Sequence, residues 1–233
     1  MKRLICILLA CSLLLAGCGS ATSQPASVPE STPADSTDDT VSGPTQKPES
    51  TAAAEPETEG GKILVAYFSR AGENYNVGVI EKGNTAIVAE MIAEELGADL
   101  FEIRPNFAYP VDYEEMKVVA QQEVDDNARP ELAETIDISE YDTIFVGYPI
   151  WWGGMPMILY TFLEGNDFTG KTVHPFNTHE GSGQAGTVQQ VTYACPGAVI
   201  GGSIAVRGSD AQNAQEDTRQ TVQEWLQSTG YVG

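Results

Sequence analysis

Three short stretches of this 233-residue chain hold residue types from which a ligand site could be built. The first is Ser69-Arg70-Ala71-Gly72, continued after a detour by Gly83-Asn84-Thr85. It leads from an apolar run into a helical pattern. Backbone N–H groups, hydroxyls and the positive end of a helix make such a junction an anion site. Capping alone would explain Asn84, but not Ser69 and a second glycine corner beside it. The second stretch is Gly147-Tyr148-Pro149-Ile150-Trp151-Trp152-Gly153-Gly154. Neighbouring Trp residues at the end of a buried strand point different ways, so both cannot easily enter the core. Flanking Pro and Gly fix the backbone and let a ligand approach closely. A flat aromatic ligand could stack on an indole. The alternative is that both indoles serve the core or an interface. The third stretch, Asn177-Thr178-His179-Glu180-Gly181-Ser182-Gly183, is polar and glycine-rich. It can offer backbone donors, two hydroxyls and His179 to the edge of a heterocycle.

Other chemistries have less support. Gly181-Ser182-Gly183-Gln184-Ala185-Gly186 satisfies G-x-G-x-x-G, but it follows the fourth strand rather than the first. No acid stands about 20 positions later, as a dinucleotide fingerprint requires. It reads as a ligand-edge loop. There is no G-x-S-x-G elbow, and no acid is clearly placed to orient His179 toward Ser69. His and Cys lack metal-ligand spacing, so no metal site is expected.

The elements that would carry these stretches alternate. Strands are expected at 62–68, 99–104, 143–147, 172–177 and 198–206, the last bent at Gly201-Gly202. Helices are expected at 85–96, 113–124, 155–163, 188–194 and 211–229. Gly97 stops the first, Pro156 lies in the first turn of the third, and Thr218, Val222, Trp225, Leu226 and Thr229 form one stripe of the last. Such alternation argues an α/β fold, a parallel sheet with helices on both faces. Ligands then bind at the carboxyl ends of the strands, where all three polar stretches fall.

The rest of the chain reads as an address. Lys2 and Arg3 precede an apolar run from Leu4 to Leu15, too short for the roughly 20 residues that span a bilayer. The run ends in Leu15-Ala16-Gly17-Cys18, which resembles the lipobox of bacterial lipoproteins. That resemblance implies a signal peptide over 1–17, lipid on Cys18, and an extracytoplasmic, membrane-anchored protein. Residues 19–61 hold six Pro and eight acids but no aromatic residue. They cannot bury enough apolar surface to order themselves, and read as a tether of roughly 35–40 Å. Cys195 is then the one free thiol, more plausibly a small buried hydrophobe than a nucleophile. The formal charge of −21 argues against a nucleic-acid partner.

YFSRAG with GNT (67–72, 83–85), GYPIWWGGMP (147–156) and NTHEGSG (177–183), in that order, resemble the flavodoxin-like family over residues 62–233. The resemblance implies a three-layer fold, a five-stranded parallel sheet in the order 2-1-3-4-5, and FMN as cofactor. By match, Ser69, Asn84 and Thr85 hold the phosphate, helped by the backbone of Arg70 and Ala71. Pro149, Ile150, Trp151, Trp152 and Gly153 line the ring, with one Trp stacking. Thr178, His179, Glu180, Gly181, Ser182 and Gly183 bond its polar edge. Two departures stand out: residues 73–82 interrupt the phosphate loop, and Ala71 replaces an expected hydroxyl residue. The expected function is electron transfer with a redox partner protein or small acceptor. The alternatives are an FMN-dependent NAD(P)H or quinone reductase, and a non-redox ligand-binding lipoprotein. Residues 62–233 carry 25 acids and 9 bases. That field should make reduced flavin a stronger donor and suit basic partners, though solubility would explain it too.

Overall fold

The computed structural model describes residues 61–232. The expected signal peptide, the lipidated Cys18 and the tether up to residue 60 lie outside the described residues. The chain runs β1 (Lys62–Tyr67), β2 (Gly72–Asn74), β3 (Gly78–Ile80), α1 (Asn84–Leu96), β4 (Asp99–Glu102) and α2 (Tyr113–Asp125). It continues through β5 (Tyr141–Pro149), α3 (Met157–Glu164), β6 (Thr172–His179), α4 (Thr187–Ala194), β7 (Val199–Ile200), β8 (Ile204–Arg207), α5 (Gly208–Asn213) and α6 (Gln215–Ser228).

One parallel sheet runs β4-β1-β5-β6-β7, with β8 also paired to β6. Taking β7 and β8 as one split fifth strand, this is the expected order 2-1-3-4-5. Side chains alternate along each strand, and the apolar runs therefore feed two cores. Leu64, Ala66, Ile144 and Val146 face α3 and α4. Val65, Tyr67, Phe145 and Phe176 face α1, α5 and α6. Among the described residues no helix is long and apolar enough to cross a membrane.

Four details differ from expectation. Gly83, rather than Asn84, is the N-cap of α1. Pro156 is the N-cap of α3 rather than part of its first turn. The expected strand 198–206 is in two pieces. Val173 pairs with Ile200 but Phe176 with Ile204, so three steps on β6 face four on its neighbour. The extra residue is a bulge, and His174 causes it. A Cβ on Gly201 would lie 2.2 Å from His174 Cε1, and His174 Nδ1 bonds the Gly202 carbonyl oxygen at 3.0 Å. The expected helix 211–229 is likewise two helices, broken at Ala214 (φ −135°, ψ 53°). Just before the break, Asn213 Nδ2 donates to the Ser209 carbonyl at 2.9 Å, competing with the backbone ladder.

Candidate functional site

From β1 the chain passes through α1 to β4 on one side of it, then returns through α2 to β5 on the other. The loops after β1 and β5 diverge there and leave a crevice at the carboxyl edge of the sheet. The three polar stretches follow β1, β5 and β6 and so meet at this edge.

In the first loop, Ser69 Oγ accepts from Ala86 N at 3.1 Å. The cap of α1 thus comes from the end of β1. A Cβ on Gly83 would lie 2.2 Å from that oxygen, so only glycine allows the approach. First-turn N–H groups have no intrahelical partner. That of Ile87 goes to the Gly83 carbonyl at 3.3 Å, while those of Asn84 and Thr85 donate to nothing among the described residues. The Asn84 side chain faces α5, where its Oδ1 accepts from Gln212 Nε2 at 2.9 Å. Only its backbone is offered to the crevice. Thr85 Oγ1 is buried 2.7 Å from Thr178 Oγ1.

The detour is the hairpin β2–β3. Its tip carries Asn76 in the left-handed region (φ 64°). Asn76 Nδ2 donates to Glu180 Oε2 at 3.1 Å, and Glu180 Oε1 accepts from Ser209 N at 2.6 Å. The Glu180 carboxylate therefore ties the third loop to the hairpin and to α5. Arg70 donates to the carbonyls of Pro110 at 2.9 Å and Val111 at 3.2 Å, and to that of Glu73. It braces the hairpin against the 105–112 segment. Burial lowers its pKa, but a guanidinium stays charged.

In the second loop, Trp151 and Gly154 exchange backbone hydrogen bonds at 3.0 and 2.9 Å. They enclose Trp152 (φ 49°) and Gly153 (φ 74°), a two-residue turn of left-handed conformations. The two indoles diverge as expected. Trp151 is half-buried, edge-on to Phe68 at 5.2 Å and to Tyr109 at 5.5 Å. Trp152 is 58% exposed, and its Nε1 donates to the Lys117 carbonyl at 3.1 Å. Pro149 pairs with Thr178, and Ile150 N donates to the Thr178 carbonyl at 2.9 Å. The second and third loops are thereby joined.

In the third loop, Asn177 Nδ2 donates to the Gly183 carbonyl at 3.0 Å. His179 Nδ1 accepts from Gly181 N at 2.9 Å. Burial first, then Arg207, holds its pKa below the usual value. Gly181 and Ser182 are exposed at the rim.

Ser69, Thr85, Thr178, Ile150 and Trp151 are thus drawn together, while the side chains of Asn84, Arg70 and Glu180 serve neighbouring elements. The Ser69 hydroxyl and the N–H groups of Asn84 and Thr85 form a donor set that fits a phosphate. The Thr85 and Thr178 hydroxyls are occupied by each other. Pro149–Gly153 offers a rigid aromatic-bearing turn that fits a flat ring. Two features escaped the sequence reading. One is Asn76, whose Asn-x-Gly spacing before Gly78 is a hairpin signal. The other is Glu123, buried on α2 with the Tyr109 hydroxyl donating at 2.9 Å. Nothing in its local pattern marks it. Burial raises its pKa. Cys195 is buried, and burial pushes its thiol up to about 12, as an inert hydrophobe requires. No cluster of His, Cys, Asp or Glu among the described residues could hold a metal ion.

The Flavodoxin family model matches residues 62–229. No curated protein matches the chain. A candidate flavoprotein from Bacteroides uniformis is 33% identical, with 72% of this chain and 99% of that one covered at a TM-score of 0.59. Another, from Bacteroides eggerthii, is 30% identical, with 72% and 97% covered at 0.58. A flavoprotein from Lactobacillus acidophilus solved in complex with FMN shares the fold at 24% identity, with 65% and 97% covered at 0.50.

Proposed function

The chain belongs to the flavodoxin family, and from that membership we propose that it binds FMN and transfers electrons while tethered to a membrane through Cys18. Family membership and the FMN complex of the Lactobacillus acidophilus neighbour support the cofactor. When bound, FMN supplies the redox chemistry, and the protein supplies position and electrostatics. The Ser69 hydroxyl and the N–H groups of Asn84 and Thr85 hold the phosphate, with those of Arg70 and Ala71 beside them. Pro149–Gly153 orients the ring and shields it from water. Backbone groups of 178–183 meet its polar edge.

One observation carries this reading. The Thr85–Thr178 hydroxyl pair fixes the phosphate-binding helix start against the strand that ends at the ring-edge loop. The stretch assigned to the tail and the stretch assigned to the ring edge are thereby held side by side, which supports the reading. An absorption spectrum of the purified chain tests it, with flavin bands expected. A colourless protein that leaves added FMN fluorescence unquenched overturns it. Tethering is supported by the sequence alone. It predicts a membrane-fraction protein that becomes soluble on Cys18→Ser.

A second reading, an FMN-dependent reductase of small acceptors, is favoured by an open cleft lined by Ile150, Trp151 and Trp152. It predicts steady-state NADH or NADPH oxidation with a quinone. One-electron exchange without such turnover favours the carrier.

A further inference from the structure

Helix α2 holds the ring-lining turn at two points. Trp152 Nε1 donates to the Lys117 carbonyl at 3.1 Å. Further along α2, the Glu123 carboxylate accepts from the Tyr109 hydroxyl through both oxygens, at 2.9 and 3.1 Å. The Tyr109 ring in turn meets the Trp151 indole edge-on at 5.5 Å. The turn itself is strained, with Trp152 in the left-handed region (φ 49°). Such a conformation persists in a non-glycine residue only where its surroundings impose it.

Glu123 is an unusual residue for the buried side of a helix. It forms no ion pair among the described residues. The Tyr109 hydroxyl is the one partner its carboxylate has among them. Burial raises its pKa, only the Tyr109 bond opposes this, and no neighbouring cation offsets the charge. For packing alone, an apolar pair of the same shape would serve as well or better. What the hydrogen bond adds is direction. Tyr109 meets Phe68, Phe107 and Trp151 edge-on. Such contacts are met over roughly 4.5–7 Å of centroid separation, a hydrogen bond only over a few tenths of an ångström. Unlike that of Trp152, the Trp151 indole N–H donates to nothing among the described residues. Its orientation is therefore set by its neighbours, and Tyr109 is the one of them that a hydrogen bond fixes.

We propose that Glu123 is the positioning residue of the ring-lining turn, acting through Tyr109 to set the Trp151 indole where the flavin ring is placed. The aromatic wall is then formed before the ring arrives, and its ordering does not weaken binding. The role toward flavin rests on the FMN reading, whereas the setting of Trp151 by Glu123 and Tyr109 does not.

The test uses the full chain. Glu123→Gln keeps an oxygen for the Tyr109 hydroxyl. The double change Glu123→Leu with Tyr109→Phe removes the bond and keeps apolar volume. In the flavin-free chain the Trp151 indole N–H resonance, assigned with Trp151→Phe, should stay in place in Glu123→Gln and move in the double variant. FMN affinity, titrated by fluorescence quenching, should hold within about twofold in Glu123→Gln and fall at least about fivefold in the double variant. The urea midpoint of the double variant should equal or exceed that of the unaltered chain, which separates positioning from a weakened fold. Should the double variant fail to fold, Tyr109→Phe, which removes a single oxygen atom, decides by the same two readouts. An unmoved Trp151 resonance, an unchanged FMN affinity, or an equal loss in Glu123→Gln overturns the proposal. An unaltered chain that takes up no FMN refutes the FMN reading instead, and the Trp151 resonance then decides whether Glu123 sets the turn.

Discussion

The hydroxyl oxygens of Thr85 and Thr178 stand 2.7 Å apart, joining the first turn of α1 to β6 across 93 residues of sequence. Both residues are buried, at 1% and 2% exposure. Thr85→Val leaves the Thr178 hydroxyl unpaired, at a cost of about 1–3 kcal/mol, and Thr178→Val does the converse. The double variant removes both groups and should cost clearly less than the sum of the single changes. Urea unfolding of the four proteins measures this, and simple additivity would refute the pairing.

The adjacent indoles are expected to separate energetically. Half-buried Trp151 packs edge-on against Phe68 and Tyr109 at the margin of the core beneath α3. Trp151→Ala should cost about 3 kcal/mol. Trp152 is 58% exposed and strained, so Trp152→Ala should change stability by less than about 1 kcal/mol. Denaturant midpoints compare the two. Equal losses would contradict the packing described.

Periodicity located the sheet because β1, β5 and β6 are buried on both faces and therefore read as unbroken apolar runs. The interruption of the fifth strand was half legible. Gly201-Gly202 announced a bend, but its cause, the His174 ring, lies on another strand. The site loops were legible because their residue types are unusual at strand ends. What their side chains touch was not, because those contacts are long-range. Asn84 looks like a cap, yet Ser69 caps α1 and the Asn84 amide turns to Gln212. Arg70 looks like an anion ligand, yet it grips carbonyls some 40 residues away. Local pattern cannot report a partner that the fold alone supplies.

The hairpin tip should govern how long FMN stays bound. Asn76 reaches the third loop through one exposed bond to Glu180, 3.1 Å long. Such a bond is worth roughly 0.5–1 kcal/mol, a few-fold in rate. Asn76→Ala is therefore expected to speed FMN release about two- to fivefold, with stability changed by less than about 0.5 kcal/mol. Stopped-flow fluorescence after dilution measures it. An unchanged release rate would show that the hairpin plays no part in retention.

His174 should make the fold sensitive to mild acid. It is 4% exposed and stacked on Phe145 at 4.9 Å and 19°. Since its Nδ1 faces the Gly202 carbonyl oxygen, that nitrogen must carry the ring's proton. Burial holds the pKa below its ordinary 6.5, and the Gly202 bond opposes this only in part. Between the folded pKa and 6.5 the unfolded chain binds more protons than the folded one. Stability is then fully present above 6.5 and falls as pH drops toward the folded value. The slope cannot exceed about 1.4 kcal/mol per pH unit for one group. Urea midpoints at about pH 7.5 and about pH 5.5 should decline in that order, with the decline reduced in His174→Gln. His179, whose pKa is also lowered, contributes in the same sense, a share that His179→Gln removes. Buried Glu123, whose pKa is raised, works in the opposite sense, so the comparison with His174→Gln decides: a pH dependence unchanged by that substitution would show that His174 is not held neutral.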